Sequence, residues 1–243
     1  MFDKSSPKSK KVNVMKETPK LSLRLQGACD MVRAGAVVAD VGTDHAYLPI
    51  HLCATERAVR AIASDVNEGP LARARENIRA WGLEGRIETR LCDGLYGVES
   101  YGPTDILILG MGGELIARIL SDAPFLKDGT RRLILQPMTH PEVVRAYLGR
   151  EGYAIVDERL IEEEKIYQIL CAEYTGAHEE YTALEALVGK KNLARRDAVT
   201  HKLCARWHAV FEERMRGKRT VGGDTSDEAR VLAEIQKWED NES

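Results

Sequence analysis

Runs of β-type residues alternate with helical segments along most of the chain, and this alternation restricts the fold more than any other feature. Most of the seven runs are separated by stretches with helical spacing, such as EGPLARARENIRAWG. Strands joined in this way predict crossover connections and a mostly parallel sheet. The short polar link ERLIEEEK lets the last two strands form a hairpin at one edge. The predicted strands are Val37–Val41, Ala61–Asp65, Arg86–Leu91, Asp105–Leu109, Arg131–Gln136, Tyr153–Glu158 and Ile166–Glu173.

The first predicted strand ends in a loop with one glycine between two acids, in the sequence AVVADVGTDHAYLP. In an open α/β sheet the ligand lies beyond the carboxyl ends of the strands. Gly42 lets backbone approach a ligand there, but the three glycines of a dinucleotide fingerprint are missing. Asp40 and Asp44 would repel a pyrophosphate in a low-dielectric crevice. They favour the cationic, phosphate-free S-adenosylmethionine, although a turn residue and a helix N-cap are the structural alternative.

Acidic residues also end the second and third predicted strands. Asp65 follows Gly42 by 23 positions (65 minus 42), close to the roughly 20 at which an acidic side chain meets ribose hydroxyls in such folds. Asp93, in LCDGLYG, is placed to accept a hydrogen bond from an adenine amino group. One Asp at a strand end is weak evidence because turns favour Asp. Acids at the ends of three successive strands predict a cofactor site.

A glycine-rich turn follows the fourth strand, in LGMGGELIARIL. Gly110, Gly112 and Gly113 predict a close approach of backbone to the reacting end of the cofactor, where Met111 could pack. The alternative is an ordinary turn into a helix. The Asp/Asn-Pro-Pro-aromatic sequence of DNA amino-methyltransferases is absent at this place. The fifth strand ends in LILQPMTH, which predicts Gln136 on the same rim, where its amide either reads a base edge or caps a turn.

Past Tyr174 the pattern becomes helical. Apolar positions from 199 to 215 recur every three or four residues and predict one long helix, and Thr225 with Glu228 predicts a capping box for a second, antiparallel helix. The net charge of -3 favours no particular partner, but residues 190–219 hold ten Lys or Arg against three acids. This basic arm predicts a polyanionic partner, with a solvated helix face as the alternative. Its candidate RNA contacts are Lys190, Lys191, Arg195, Arg196, Lys202 and Arg206.

Other features exclude several classes of protein. No apolar run approaches the roughly 20 residues of a membrane span, and the basic N-terminus has no apolar signal-peptide core. We therefore expect residues 1–20 to be a disordered extension and the protein to be cytoplasmic. Five widely spaced cysteines suit reduced thiols. His45, His51 and Cys53 lack the spacing of a recognised metal site, so we expect no metal.

The motifs LSLRLQ, ADVGTDHAYLP, GMGGELI and LILQP, in this order and spacing, resemble the TrmK family of bacterial tRNA (adenine-N1)-methyltransferases. The resemblance implies a Rossmann-like class I methyltransferase domain over residues 21–175 and a coiled-coil-like helical domain over residues 176–243. It also implies S-adenosylmethionine as methyl donor and N1 of an adenine in the D-arm of tRNA as acceptor. The predicted cofactor site comprises Arg24, Asp40, Gly42, Asp44, His45, Asp65, Val66, Asp93, Gly94, Gly110, Met111 and Gly112.

Positioning is expected to dominate catalysis in such an enzyme. N1 of adenine is unprotonated at neutral pH, so its attack needs no prior proton removal, and alignment of the reactants can supply about 7–11 kcal/mol. The base must be unpaired or flipped out because N1 is occupied in a duplex. Tyr47 or His45 could stack on it. The candidate catalytic residues are Asp44, Tyr47, Met111 and Gln136.

Three other functions share part of this evidence. An NAD-dependent dehydrogenase has the same kind of sheet but needs the missing glycines. A methyltransferase acting on a small molecule or another RNA shares the cofactor site, and the small-molecule enzyme has no use for a basic arm. A non-catalytic RNA-binding module would bind tRNA without methyl transfer. We expect tRNA as the partner, with no membrane and no obligate protein partner.

Overall fold

Seven strands form one sheet in the computed structural model, which describes residues 18–241. All seven predicted strands are confirmed, and most of them extend beyond their predicted bounds. The strands are β1 (Ala36–Val41), β2 (Ala58–Asp65), β3 (Ile87–Leu91), β4 (Asp105–Gly112), β5 (Arg132–Thr139), β6 (Tyr153–Glu162) and β7 (Ile166–Tyr174).

The strand order is β3-β2-β1-β4-β5-β7-β6, and β7 alone runs antiparallel to its neighbours. This is the predicted class I methyltransferase layout, with the predicted hairpin of β6 and β7 at one edge. The order reverses between β1 and β4, which are hydrogen-bonded neighbours. Ligands of open α/β sheets bind at such a switch point, beyond the carboxyl ends of the strands.

Helices cover both faces of the sheet, because successive strand residues point to opposite sides. Val38 packs in one buried cluster with residues of the first three helices, whereas Ala39 packs in a second cluster with residues of the next two. The first helix begins after Ser22, whose hydroxyl accepts a hydrogen bond from the Leu25 amide. These helices are α1 (Leu23–Cys29), α2 (Tyr47–Ala54), α3 (Glu68–Trp81), α4 (Gly113–Ser121) and α5 (Pro141–Arg150).

Four helices follow the sheet, and the last two form the predicted antiparallel pair. They are α6 (Ala183–Val188), α7 (Lys190–Arg195), α8 (Ala198–Thr220) and α9 (Ser226–Asp240). Lys218, near the end of α8, pairs at 2.8 Å with Glu228, near the start of α9. At the opposite end, Arg196 donates to the carbonyl of Trp238 at 2.8 Å. The predicted capping box is wrong, since Thr225 makes no side-chain cap and Glu228 instead binds Lys218.

A buried arginine attaches these helices to the sheet. Arg145 on α5 has no exposed surface and forms a 2.8 Å ion pair with Glu158 on β6. Its guanidinium also donates to the carbonyls of Ala186 and Val188 and to the side-chain oxygen of Gln168. Because α6 ends at Val188, this network fixes the beginning of the helical region against β6 and β7. The helices also share a hydrophobic cluster, against which Leu160 of β6 and Ile166 of β7 pack.

The remaining sequence-based expectations concern the termini and metal binding. The predicted disordered extension lies outside the described residues except for positions 18–20, where the Pro19 carbonyl lies 3.3 Å from His51 Nδ1. Cys53 is fully buried in the core. Residues 18–241 contain no cluster of three side chains able to hold a metal ion. None of their helices has both the length and the hydropathy to cross a membrane.

Candidate active site

A cavity of about 260 Å³ opens at the carboxyl ends of β1, β2, β3 and β4. It lies at the switch point of the sheet, where the sequence predicted a cofactor. Half of its lining residues belong to the predicted site: Gly42, Asp65, Val66, Asp93, Gly94 and Met111. The others are Val41, Ser64, Cys92, Leu115, Arg118 and Ile119.

The β1 loop crosses this cavity and requires glycine at position 42. Gly42 has a φ of +75°, and its amide donates to the Ser64 carbonyl at 2.8 Å. A Cβ atom at this position would overlap the Met111 methyl group. The left-handed backbone therefore favours glycine here, and a side chain would in addition displace the Met111 methyl group.

Asp65 ends β2 at the cavity wall. One of its carboxylate oxygens accepts a hydrogen bond from the Asn67 amide at 2.7 Å, which fixes the orientation of the side chain. Val66 and Leu115 are large apolar residues of the wall that are 62% and 40% exposed. They offer an apolar surface to a flat ring, and Leu115 was not predicted because its helical position reads as core.

Asp93 ends β3 and binds an arginine that sequence reasoning missed. Arg118 on α4 donates to both Asp93 oxygens, at 2.9 and 3.1 Å. These hydrogen bonds hold the pKa of Asp93 below its usual range. The pairing neutralises one acid of the cavity and leaves the adenine contact of Asp93 as a prediction.

Asp40 lies beneath the loop and does not line the cavity, in contrast to its predicted place in the cofactor site. Its side chain is buried, and this burial raises its pKa to about 6. The negative charge of Asp65 acts in the same direction. Asp40 is therefore a supporting residue of the β1 loop.

The segment after Gly42 presents an aromatic platform beside an exposed acid. The rings of His45 and Tyr47 stack with centroids 5.4 Å apart and planes 9° apart. His45 and Ala46 both have a positive φ, and the Asn77 side chain holds the His45 carbonyl at 2.9 Å. Asp44 is 71% exposed and lies 3.4 Å from His45 Nε2. It makes no cap on α2, so the N-cap alternative is wrong.

Among the three glycines predicted to allow a close approach, the structure requires Gly113, at the start of α4, more strictly than Gly112, at the end of β4. A Cβ atom on Gly112 would lie 3.2 Å from the Thr139 hydroxyl, a contact that a small side-chain movement relieves. A Cβ atom on Gly113 would overlap the backbone carbonyl of His140. Gly113 is therefore the glycine that the packing of α4 against the end of β5 requires.

Gln136 is fully buried, and its predicted contact with a base is corrected. Its side-chain oxygen accepts a hydrogen bond from Arg24 at 2.7 Å, and its amide nitrogen donates to the Pro137 carbonyl at 2.9 Å. The Arg24 guanidinium also lies 5.3 Å from the Tyr167 ring centroid. Gln136 thus holds Arg24 beside Gly110, where a Cβ atom would be 3.9 Å from the guanidinium. This placement brings a cation to the predicted site from a helix before β1.

His140, which follows β5, has a φ of +53° and lies between two acids. Its Nδ1 atom is 3.0 Å from Glu142, and its Nε2 atom is 3.7 Å from Glu114 on α4. The hydrogen bond to Glu142 and the charge of Glu114 raise the pKa of His140. Backbone strain of this kind concentrates at functional sites, and the two acids were not predicted there.

The basic residues do not form one helical face. Lys190, Lys191 and Arg195 lie on α7, and Lys202 and Arg206 lie on α8. Most of them have structural partners: Lys190 pairs with Glu179, Arg195 with Asp157 and Lys202 with Glu162, while Arg196 covers the Trp238 ring. Within residues 18–241, Lys191 and Arg206 form no side-chain ion pair, and the RNA contacts of all six remain predictions.

Known proteins resemble this chain over most of its length. Residues 21–170 match the family model described as a methyltransferase domain. The tRNA (adenine(22)-N(1))-methyltransferase of Bacillus subtilis is 39% identical over 171 residues, which are 70% of this chain and 72% of that protein. The crystal structure of the B. subtilis m1A22 tRNA methyltransferase TrmK matches with a TM-score of 0.77 at 34% identity and covers 90% of this chain and 95% of that one. A Streptococcus pneumoniae protein solved with S-adenosyl-L-methionine matches at 0.79 and 33%, covering 89% and 99%.

Proposed function

Because this chain belongs to the TrmK family of bacterial tRNA (adenine-N1)-methyltransferases, we propose that it transfers the methyl group of S-adenosylmethionine to N1 of adenine 22 in tRNA. The observation that carries the proposal is the cavity at the ends of β1 to β4, which combines a glycine loop, a strand-end acid and an apolar wall. Relatives of this chain include tRNA methyltransferases and a protein solved with S-adenosyl-L-methionine.

The residues of the cavity fit the parts of S-adenosylmethionine. Asp65 would accept hydrogen bonds from the ribose hydroxyls, and Val66 and Leu115 would cover the adenine ring. Arg24 would bind the carboxylate of the methionine end. When bound, this cofactor supplies an electrophilic methyl group on a positively charged sulfur.

The same residues disfavour a dinucleotide. Only Gly42 of the β1 loop approaches the cavity, and Asp65 adds negative charge where a pyrophosphate would have to lie. Arg118 neutralises Asp93 through two hydrogen bonds and so is committed within the protein. The NAD-dependent dehydrogenase is therefore the weaker alternative.

For the acceptor, the chain supplies a place to stack a base and a negative charge beside it. The stacked rings of His45 and Tyr47 lie on the loop that follows Gly42, and Tyr47 is 44% exposed. An unpaired adenine stacked on this platform would be held in one plane, which lowers the entropic cost of alignment. The methylated base carries a positive charge, which the exposed carboxylate of Asp44 would stabilise. Met111 packs against Gly42 and would shape the reacting end of the cavity.

The five cysteines are all free thiols, and we place the protein in the cytoplasm with tRNA as its macromolecular substrate. We retain the described residues up to 175 as the catalytic domain and those from 176 onward as the RNA-contacting helical domain. The separate hydrophobic cluster of the helices supports this division.

Transfer of a labelled methyl group tests the proposed function. The protein is incubated with methyl-tritiated S-adenosylmethionine and either total tRNA or the small-molecule fraction of a cell extract. Label is expected in tRNA, and Asp65→Ala at limiting cofactor is expected to incorporate far less. Label confined to the small-molecule fraction would instead make the protein a small-molecule methyltransferase.

A further inference from the structure

A second cavity, of about 550 Å³, separates the end of β5 and the start of β7 from helices α8 and α9. We call it the interhelical cavity. It shares no lining residue with the cofactor cavity, yet it begins one strand away, because Thr139 in its wall is the register partner of Gly112 on β4. A volume of this size accommodates a small organic ligand.

Aromatic rings line one side of the interhelical cavity. Trp207 and Phe211 on α8 have ring centroids 5.9 Å apart, and Tyr167 lies on β7. Single-stranded RNA is recognised by stacking its bases on such side chains. Phe211 and Tyr167 are largely buried, so the half-buried Trp207 is the ring of this wall on which a flat heterocycle can stack.

Two buried polar atoms of the wall have no partner. The Trp207 Nε1 atom and the Glu142 Oε2 atom are each inaccessible to solvent and form no hydrogen bond within residues 18–241. The other Glu142 oxygen is the one bound to His140. Buried polar groups are nearly always paired. Because neither atom reaches solvent, a ligand in the cavity bonds to them only after these side chains move.

Cations surround the aromatic wall. Arg214 lies 5.1 Å from the Phe211 ring, and Lys165 lies 5.0 Å from the Tyr167 ring. Arg206 also lines the cavity and, like Arg214, forms no ion pair in the described part of the chain. Unpaired arginines beside a stacking wall complement the phosphates that flank a base.

We propose that the interhelical cavity binds a second unpaired nucleotide of the tRNA substrate, distinct from the adenine that is methylated. The base stacks on the half-buried Trp207, while Arg206 and Arg214 hold the adjoining phosphates. The reacting adenine must lie against the cofactor, and the two cavities share no wall, so the occupant is another nucleotide. This inference rests on the proposed function and adds a specificity subsite to it.

Charge reversal separates this subsite from general electrostatic attraction. Arg214→Glu alters the cavity, and Arg216→Glu makes the same change two residues later on α8, outside the cavity lining. Arg214→Glu is expected to raise KM for tRNA roughly tenfold, since phosphate and stacking contacts are worth that much. S-adenosylmethionine affinity should stay the same in both variants, which shows that they are folded. Equal effects of the two substitutions on KM would overturn the subsite.

The indole N–H of Trp207 provides a direct readout. In a ¹⁵N-labelled protein, this signal is assigned with Trp207→Phe, which keeps a ring and removes the donor. A hairpin with the sequence of the tRNA D-arm should shift the Trp207 signal and leave that of Trp81 in place, while S-adenosylmethionine alone should shift neither.

Three results of these measurements lead to different conclusions. A hairpin that is methylated without moving the Trp207 signal would overturn the subsite, as would a shift caused by the cofactor alone. Absence of methyl transfer by the unsubstituted protein would instead contradict the proposed function. In that case the Trp207 signal would still report whether the cavity takes RNA.

Discussion

The guanidinium of Arg24 donates a hydrogen bond to the side-chain oxygen of Gln136 at 2.7 Å, across 112 positions of sequence. This bond ties α1, which precedes the sheet, to the end of β5. It also directs a cation to Gly110, at the edge of the predicted cofactor site. Under the proposed function, Gln136, which the sequence suggested as a base-reading group, would instead position Arg24 for the cofactor.

Substitution of Gln136 tests this positioning role. Gln136→Leu should weaken S-adenosylmethionine binding about tenfold, because a buried hydrogen bond to a charged group is worth about 1.5–3 kcal/mol. Gln136→Glu keeps an oxygen acceptor and should bind nearly as tightly as the parent. Calorimetry measures both, and equal affinities for Leu and Glu would show that the bond to Arg24 does not support the cofactor.

Asp65→Ala removes the proposed ribose acceptor. We expect S-adenosylmethionine affinity to fall by about 1.5–3 kcal/mol, or roughly ten- to a hundredfold. Glu76→Ala on α3 is a matched control, since it removes an acid that does not line the cofactor cavity. Unchanged affinity of the Asp65 variant by calorimetry would remove this residue from the site.

Gly112 at the end of β4 and Gly113 at the start of α4 should respond differently to alanine. Gly113→Ala should destabilise the fold strongly, since its Cβ atom would overlap the His140 carbonyl, whereas Gly112→Ala requires only a shift of the Thr139 side chain. Thermal unfolding monitored by circular dichroism distinguishes the two. Equal melting temperatures would mean that α4 does not pack against β5 as described.

The pKa of Asp40 makes stability depend on pH. Its native pKa is about 6 because burial disfavours the charged form, and its unfolded pKa is about 4, so the native state binds the proton more tightly. The contribution of Asp40 to the free energy of unfolding should therefore fall as pH rises from 4 to 6 and stay level above that range.

Asp40→Asn abolishes this titration. The variant should match the parent near pH 4 and be more stable at pH 8, by about 3 kcal/mol at most. Urea unfolding at the two pH values provides the measurement, with the exposed Asp44→Asn as control. A parent whose stability rises between pH 4 and 6, with no gain in the Asn variant, would contradict the raised pKa.

The sequence predicted those parts of the fold that local patterns encode. The strand runs and the turn signals between them identified the sheet and its edge hairpin, because apolar runs and turn preferences are local properties. These features depend on residues close together in the chain.

Features that depend on distant partners were not predictable from one sequence. Gln136 was predicted on the rim because no residue near it in the sequence indicates its hydrogen bond with Arg24. Glu228 matched a capping box but is bound by Lys218 from the other helix of the pair. The basic residues suggested one arm, yet Arg195 and Lys202 are paired with acids of the β6 strand, Asp157 and Glu162. In each case a tertiary ion pair or hydrogen bond overrides a local preference.

Nucleoside analysis by mass spectrometry tests the central claim most directly. A tRNA transcript with adenine at position 22 is incubated with the protein and S-adenosylmethionine, digested to nucleosides and compared with a transcript that has guanine at that position. The account predicts 1-methyladenosine from the first transcript and none from the second. Equal amounts of 1-methyladenosine from both transcripts, or its absence from both, would contradict the assignment of adenine 22 as the acceptor.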